Sequence, residues 1–458
     1  MNTTSAGIQN QTKNSDRLGV FNEYFSTFKI GTLLNRSGIT KTKGTSPLSI
    51  FTALFNLAFC RTNLYQGVVK NKETQVDKDA AYNFLNSPNY NWRRFTLLLF
   101  RRIYFVIRSL LDDSSEEVLI FDDSTYNRNR SKKVELLSRV FDHTAMKYIK
   151  GFRMLTLGWS DGNSFLGIDF ALLSSTNKKN RYNEISSDID KRTCGYNRRK
   201  EAITKTTEHL VPMVKRALDN GVRAKYVLMD SWFSMPSAIA ALREHIHVIC
   251  MLKDHPKWFY EYQGKKLRLS DLYGKLKKKR GLARIKAQAV VSLSNGERAR
   301  IVFVPCDKKR GWLALLSTDL SIPNEEIIRL YGKRWDIEVF FKMCKQHLNL
   351  VKEIQIRNYD GLVAHTSLVI ARYNMLSLFQ RQHMDQRSFG ELFRACHEEM
   401  VNLSFMVSLE RIMRLALANI RRIFGFTEQM IQVMLDLVMG QALAYFGLKN
   451  GPENLLEA

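Results

Sequence analysis

Twice in this chain an uninterrupted apolar run ends on aspartate. Val118–Thr125 reads VLIFDDST and Tyr226–Phe233 reads YVLMDSWF. Apolar runs this short, with no polar alternation, fit strands buried on both faces, and such strands occur in sheets covered by helices. The chain is thereby constrained to an α/β architecture, with Asp122, Asp123 and Asp230 at strand ends. A lone aspartate at such a place is ordinarily a turn former or a helix N-cap.

A third segment adds weight. Tyr331–Lys345, YGKRWDIEVFFKMCK, reads as one helix. At 100° per residue, Tyr331, Arg334, Glu338, Lys342 and Lys345 share a stripe about 80° wide. Ile337, Phe340, Phe341, Cys344 and Leu348 form a neighbouring apolar stripe that docks on a core. The plain alternative is an ion-pair ladder, Arg334–Glu338–Lys342, on a solvated face. Two aspartate strands followed by a helical glutamate favour chemistry, because three carboxylates can hold two Mg²⁺ ions for phosphodiester cleavage. No other segment of the sequence offers a comparable set.

On these residues the chain resembles the DDE transposases of bacterial insertion sequences, in the branch marked by Y-x2-R-x3-E-x6-K. Tyr331, Arg334, Glu338 and Lys345 fill that pattern without departure. FDDS and LMDSWF resemble the regions of the first and second catalytic aspartates, and Asp142–Gly162 resembles the central hairpin. The resemblance implies a ribonuclease-H-like catalytic core whose first and fourth strands lie side by side. It implies Asp122, Asp230 and Glu338 as catalytic residues and ligands of two Mg²⁺ ions, with Mn²⁺ as a substitute. Asp123 is the rival for the first position. Arg334 and Lys345 would grip phosphates, and Tyr331 would meet a phosphate or a base. Lys342 shares their face, either as a phosphate contact or as an ion-pair partner. Trp312 has two readings: a stacking residue for a flipped base, two residues from the expected position, or a core tryptophan. The partners implied are double-stranded DNA (transposon ends and target) and a second copy of the chain in a homodimeric complex. The location implied is the nucleoid, in bacterial cytoplasm. The reaction implied is cut-and-paste cleavage through a hairpin on the element end, followed by strand transfer. Two other functions remain open: a metal-dependent endonuclease without strand transfer, and a basic DNA-binding protein with vestigial carboxylates.

Charge narrows the partner. Of 458 residues, 70 are Lys or Arg and 44 are Asp or Glu, a formal balance of +26. Such an excess calls for a polyanion, nucleic acid before a membrane surface. The sequence has no uncharged apolar run of about 18 residues, so no membrane-spanning helix is expected. Six cysteines lack zinc-like spacing and read as reduced thiols. The run Lys275–Arg280, KLKKKR, is either a solvated loop or a DNA-backbone contact through Lys275, Lys277, Lys278 and Lys279.

The expected organisation is a disordered lead-in over 1–16 and a helical DNA-binding domain over 17–115. A catalytic core follows over 116–254 and 319–350, interrupted by a β-rich insertion over 255–318. A helical region over 351–458, a dimer surface or a cap, closes the chain, with Arg411, Arg414, Arg421 and Arg422 adding charge. Within the core, strands are expected at 118–121, 153–159, 164–173, 226–230 and 247–252. A long helix, 198–220, kinked at Pro212 and stopped by Gly221, precedes the fourth of these. Trp232 is expected to pack beneath the site, and His143 carries no assigned role.

Overall fold

The structure, a computed structural model, describes residues 19–70, 76–112, 115–143, 145–279, 283–306, 311–352, 354–382, 388–398, 409, 413, 417 and 427–445. The expected lead-in, Arg280, Arg411, Arg414, Arg421 and Arg422 lie outside them.

Local chemistry sets the first helices. These are α1 (Gly19–Thr27), α2 (Ile30–Arg36), α3 (Pro47–Asn56), α4 (Lys78–Asn86) and α5 (Trp92–Arg108). Ser46 accepts from the Ser49 amide at 3.1 Å and Pro47 fills the first helical position, so α3 starts where an N-cap and a proline together dictate. Asn91 caps α5 through the Arg94 amide at 3.0 Å. Helix α5 buries Phe95, Leu99, Phe100, Ile103, Tyr104 and Ile107 along one face.

Beyond α5 the chain forms a mixed sheet with flanking helices. Its strands are β1 (Val118–Asn127), β2 (Ser138–Asp142), β3 (Lys147–Ser160), β4 (Phe165–Leu173), β5 (Tyr226–Met229) and β6 (His247–Leu252). Next come β7 (Tyr260–Tyr262), β8 (Lys265–Leu267), β9 (Ala287–Ser292), β10 (Arg298–Cys306) and β11 (Gly311–Ser317). The order across the sheet is β2-β3-β1-β5-β6-β11-β10-β9-β7-β8, with β4 also paired to β3. β5 runs parallel to both β1 and β6; the other pairings are antiparallel. The later helices are α6 (Cys194–Ala202), α7 (Leu210–Asp219), α8 (Pro236–Arg243), α9 (Leu269–Lys275), α10 (Asn324–Gly332), α11 (Trp335–Gln346), α12 (Tyr359–Gln382) and α13 (Glu428–Tyr445).

Several expectations change at this level. β1 runs through the aspartates to Asn127, because β3 pairs with it from Val118↔Ser160 to Asn127↔Gly151 and satisfies its backbone. The segment DDSTYN lacks apolar alternation, so pattern alone ended the strand early. The long helix expected at 198–220 is two helices. Thr204 turns its hydroxyl onto the Glu201 carbonyl at 2.9 Å and contacts His209 Nε2 at 2.8 Å, a local competitor for helical bonding that ends α6. Pro212 then lies in the first turn of α7, where its missing N–H costs nothing. The β-rich stretch after β6 extends the same sheet, since β11 pairs with β6 from Ser317↔Ile249 to Ala314↔Leu252.

Helix α12 is the axis of the core. It is the one described helix long and apolar enough to cross a membrane, and 94% of that window is buried inside the protein. Asn374 clamps α12 to β4 by a reciprocal pair with the Gly167 backbone, both bonds 2.9 Å. A Cβ at Gly167 would meet Ile370 at 3.0 Å, so glycine permits this close approach. Buried Arg372 donates to the carbonyl of Phe55 on α3 (2.8 Å) and to that of Leu348 (3.3 Å), so one side chain binds α12 both to the N-terminal helices and to the segment that follows Gln346.

Candidate active site

The parallel pairing of β1 with β5 ends at Phe121↔Met229. Asp122 and Asp230 are the residues that follow, so they stand level where β5 ends and β1 runs on. Alternation along β1 then separates neighbours. Asp122 meets Arg334 (Nη1–Oδ2, 3.2 Å), and Ser124 accepts from Lys345 Nζ at 2.6 Å. Asp123 instead binds Arg153, the β3 residue opposite Thr125, at 2.9 Å.

The helix carrying Glu338 is not continuous with Tyr331. α10 ends at Gly332 and α11 begins at Trp335, with three-residue backbone bonds between them (Lys333 N to Leu330 O and Arg334 N to Tyr331 O, both 3.0 Å; Asp336 N to Lys333 O, 3.1 Å). The single-helix stripe therefore holds from Arg334 onward and not for Tyr331. Tyr331 is half-buried, its hydroxyl oxygen is enclosed without a hydrogen-bond partner among the described residues, and the Arg334 guanidinium carbon lies 5.8 Å from its ring centre. Burial pushes that phenol up.

Arg334 ties the site together. One arm of its guanidinium binds Asp122 and the other binds Glu338 Oε1. Burial pushes the Asp122 carboxyl up to about 7; Arg334 pulls it back, while Asp123 and Asp230 push it further. Burial likewise raises Asp123 against the pull of Arg153. Lys345 is lowered by burial, opposed by Asp142. Asp122 and Glu338 thus converge on one cation, and Asp230 stands beside Asp122 on the next strand. Among the described residues, no three His, Cys, Asp or Glu side chains are gathered as a metal cage. The guanidinium lies between two of the carboxylates instead.

The remaining expected residues fall elsewhere. Lys342 is exposed on α11. Lys275 closes α9, and Lys277, Lys278 and Lys279 follow it as exposed side chains, with Lys278 Nζ 5.0 Å from the Tyr273 ring centre. Trp312 on β11 packs against Tyr273 (5.0 Å) and Phe303 (5.1 Å), geometry that favours its core reading.

Sequence reasoning missed a second cluster at the site's edge. Trp232 is 44% exposed, not packed beneath. His143 lies 5.2 Å from its ring, with Lys253 Nζ at 4.8 Å and the Arg153 guanidinium at 5.9 Å. The signal in the sequence was its position, two residues after Asp230. The basic partners come from separate strands, which no local pattern reveals.

Two known families match this chain. Residues 61–282 match the family described as DDE superfamily endonuclease, and residues 194–375 match the one described as Transposase DDE domain. Each match spans less than half of the chain, and together they support a DDE transposase, a class of enzyme that cuts and moves DNA. No curated protein matches. Among solved structures there is a likeness to the "Crystal structure of the C-terminal lobe of a budding yeast Argonaute". It has 13% identity and a TM-score of 0.20, over 70% of this chain and 61% of that one. The chain thus spans less than two thirds of that structure's length, and a likeness this low carries no argument.

Proposed function

We propose that the chain is the transposase of a bacterial insertion sequence, acting on the terminal inverted repeats of its element at the nucleoid. The observation that carries this reading is the meeting of Asp122 and Glu338 on Arg334, with Asp230 level beside Asp122 on the neighbouring strand. Three carboxylates from two adjacent strands and a helix suit a site for divalent cations, and the mixed sheet with flanking helices around them is compatible with a ribonuclease-H-like core.

Asp122, Asp230 and Glu338 would hold Mg²⁺, or Mn²⁺ in its place. All-oxygen ligands fit these hard cations, and the raised carboxyl of Asp122 marks a buried anion short of positive charge. When bound, such ions supply Lewis acidity to the attacking and leaving oxygens of an in-line displacement. The protein's own groups do the rest. Arg334, released from its two carboxylates, binds non-bridging phosphate oxygens as a planar fork. Lys345 holds Ser124 in the free protein and offers its ammonium to the same phosphate. The Tyr331 ring, 5.8 Å from the Arg334 guanidinium carbon, supports it by cation–π contact.

The proposed sequence is cleavage of one strand at the element end and attack of the freed 3′-hydroxyl on the opposite strand to form a hairpin. Hairpin opening and joining to target DNA follow, within a homodimer. The test is a supercoiled plasmid carrying the element ends. Wild type should nick it with Mg²⁺ and join pre-cut ends to a target. Asp230→Asn should bind the ends and cut nothing, since an amide lacks the charge to hold the cation. Cleavage at the wild-type rate by Asp230→Asn would sink the assignment. Nicking without joining would reduce the protein to an endonuclease.

A further inference from the structure

Beside the carboxylates, an aromatic ladder runs out along the β2–β3 hairpin, and no part of the proposed reaction uses it. It begins at Trp232, two residues after Asp230. His143 lies 5.2 Å from Trp232, Phe141 4.9 Å from His143, and Tyr148 5.1 Å from Phe141. Successive rings meet edge to face, at 78°, 76° and 71°. Cations line its length. Lys253 and Arg153 stand over Trp232, and the Arg139 guanidinium carbon sits 3.8 Å from the Tyr148 ring centre. Both ends are open to solvent, Trp232 at 44% and Tyr148 at 58%. Arg153 is fixed by Asp123 at 2.9 Å and approaches His143 Nε2 at 3.4 Å, which anchors the ladder to the strand bearing Asp122.

Exposed rings interleaved with cations suit one class of ligand above others. A duplex hides the faces of its bases, and needs only charge from its partner. Unpaired nucleotides expose those faces, and bind where rings accept a base while ammonium or guanidinium groups meet the phosphates. Cation–π contact with Lys253 and Arg139 also holds the outer rings in place before any ligand arrives. We propose that this ladder, Trp232–His143–Phe141–Tyr148 with Arg139, Arg153 and Lys253, is a binding track for single-stranded DNA leading into the carboxylate site. It rests on the transposase reading and gives that site a route for unpaired nucleotides next to the scissile phosphate.

The experiment measures binding of the full chain, without divalent metal, to a fluorescein-labelled 12-mer of dT and to a blunt duplex. Trp232→Ala and Tyr148→Ala should each weaken the dT 12-mer by roughly 5- to 150-fold, the usual loss when a base-stacking ring is removed. The duplex should change by less than about 2-fold in the same variants, as phosphate contacts dominate there. Trp232→Phe, which keeps a ring, should retain most single-strand affinity. Both side chains are exposed, so their truncation leaves the core untouched. Unchanged single-strand affinity in both alanine variants would overturn the proposal, as would equal losses on the two DNAs. In either case Asp230-dependent cleavage can still stand. A wild type that neither binds nor cuts any DNA removes the transposase reading, and the track with it.

Discussion

Arg334 is the residue on which the site turns. In the free protein its guanidinium occupies the gap between Asp122 and Glu338, so it would compete with the divalent cation proposed there for the same oxygens. Two consequences separate it from an ordinary ion-pair arginine. Removing it should leave metal affinity in the absence of DNA unchanged or tighter, measured by Mn²⁺ titration. The same Arg334→Ala variant should cleave about 10²- to 10³-fold more slowly at saturating DNA, the scale of removing one preorganised donor to a developing charge. Weaker Mn²⁺ binding in that variant would make Arg334 a structural support of the carboxylates. The sequence offered Arg334, Glu338 and Asp122 as candidates, from strand-end and helix position and from the Y-x2-R-x3-E-x6-K resemblance. It could not show that the three side chains meet, since 212 positions separate Asp122 from Arg334.

At the scale of elements, the legible parts were those with their own punctuation. Ser46-Pro47 stands at the start of α3, Gly162 at φ 93° turns β3 into β4, and Gly221 at φ 90° follows α7. The break between α10 and α11 was hidden, because Gly332–Lys333–Arg334 fits inside a helical period and only the backbone bonds reveal the tighter turn. β2 went unseen for a similar reason: SRVFD is short and polar, and it exists by pairing with β3. The basic stretch after α9 makes a prediction of its own. Replacing Lys275, Lys277, Lys278 and Lys279 with alanine should flatten the dependence of log affinity on log salt, by about 0.9 for each phosphate no longer neutralised. An unaltered slope would leave that stretch as a solvated loop.

Across the whole molecule, buried charge fastens the N-terminal helices to the sheet. Asp169 on β4 takes Arg93 from α5 at 3.3 Å and Arg216 from α7 at 2.7 Å. Burial alone would raise this carboxyl; Arg93, Arg216 and Arg198 together hold it down at about 2, below its ordinary 3.8. The folded form therefore binds fewer protons than the unfolded chain between those values. This stabilisation is present above about pH 4 and is lost as pH falls towards 2, an effect of about 2 kcal/mol. Asp169→Asn should lower stability by about 3–5 kcal/mol at pH 7, since it strips the buried Arg198 and the half-buried Arg93 and Arg216 of their shared anion, and denaturant unfolding at pH 7 and pH 3 reads the difference. The same fold sets Asp122 and Glu338 on Arg334 and Asp230 level with Asp122, and the proposed function rests on that arrangement. Metal-directed cleavage of the polypeptide reads it out: Fe²⁺ is loaded in place of Mg²⁺, and ascorbate with peroxide then cuts the backbone beside the bound ion. Cuts should cluster near Asp122, Asp230 and Glu338, be suppressed together by excess Mg²⁺, and vanish together in Asp230→Asn. Cuts confined to one of these segments, or surviving in Asp230→Asn, would contradict a shared site.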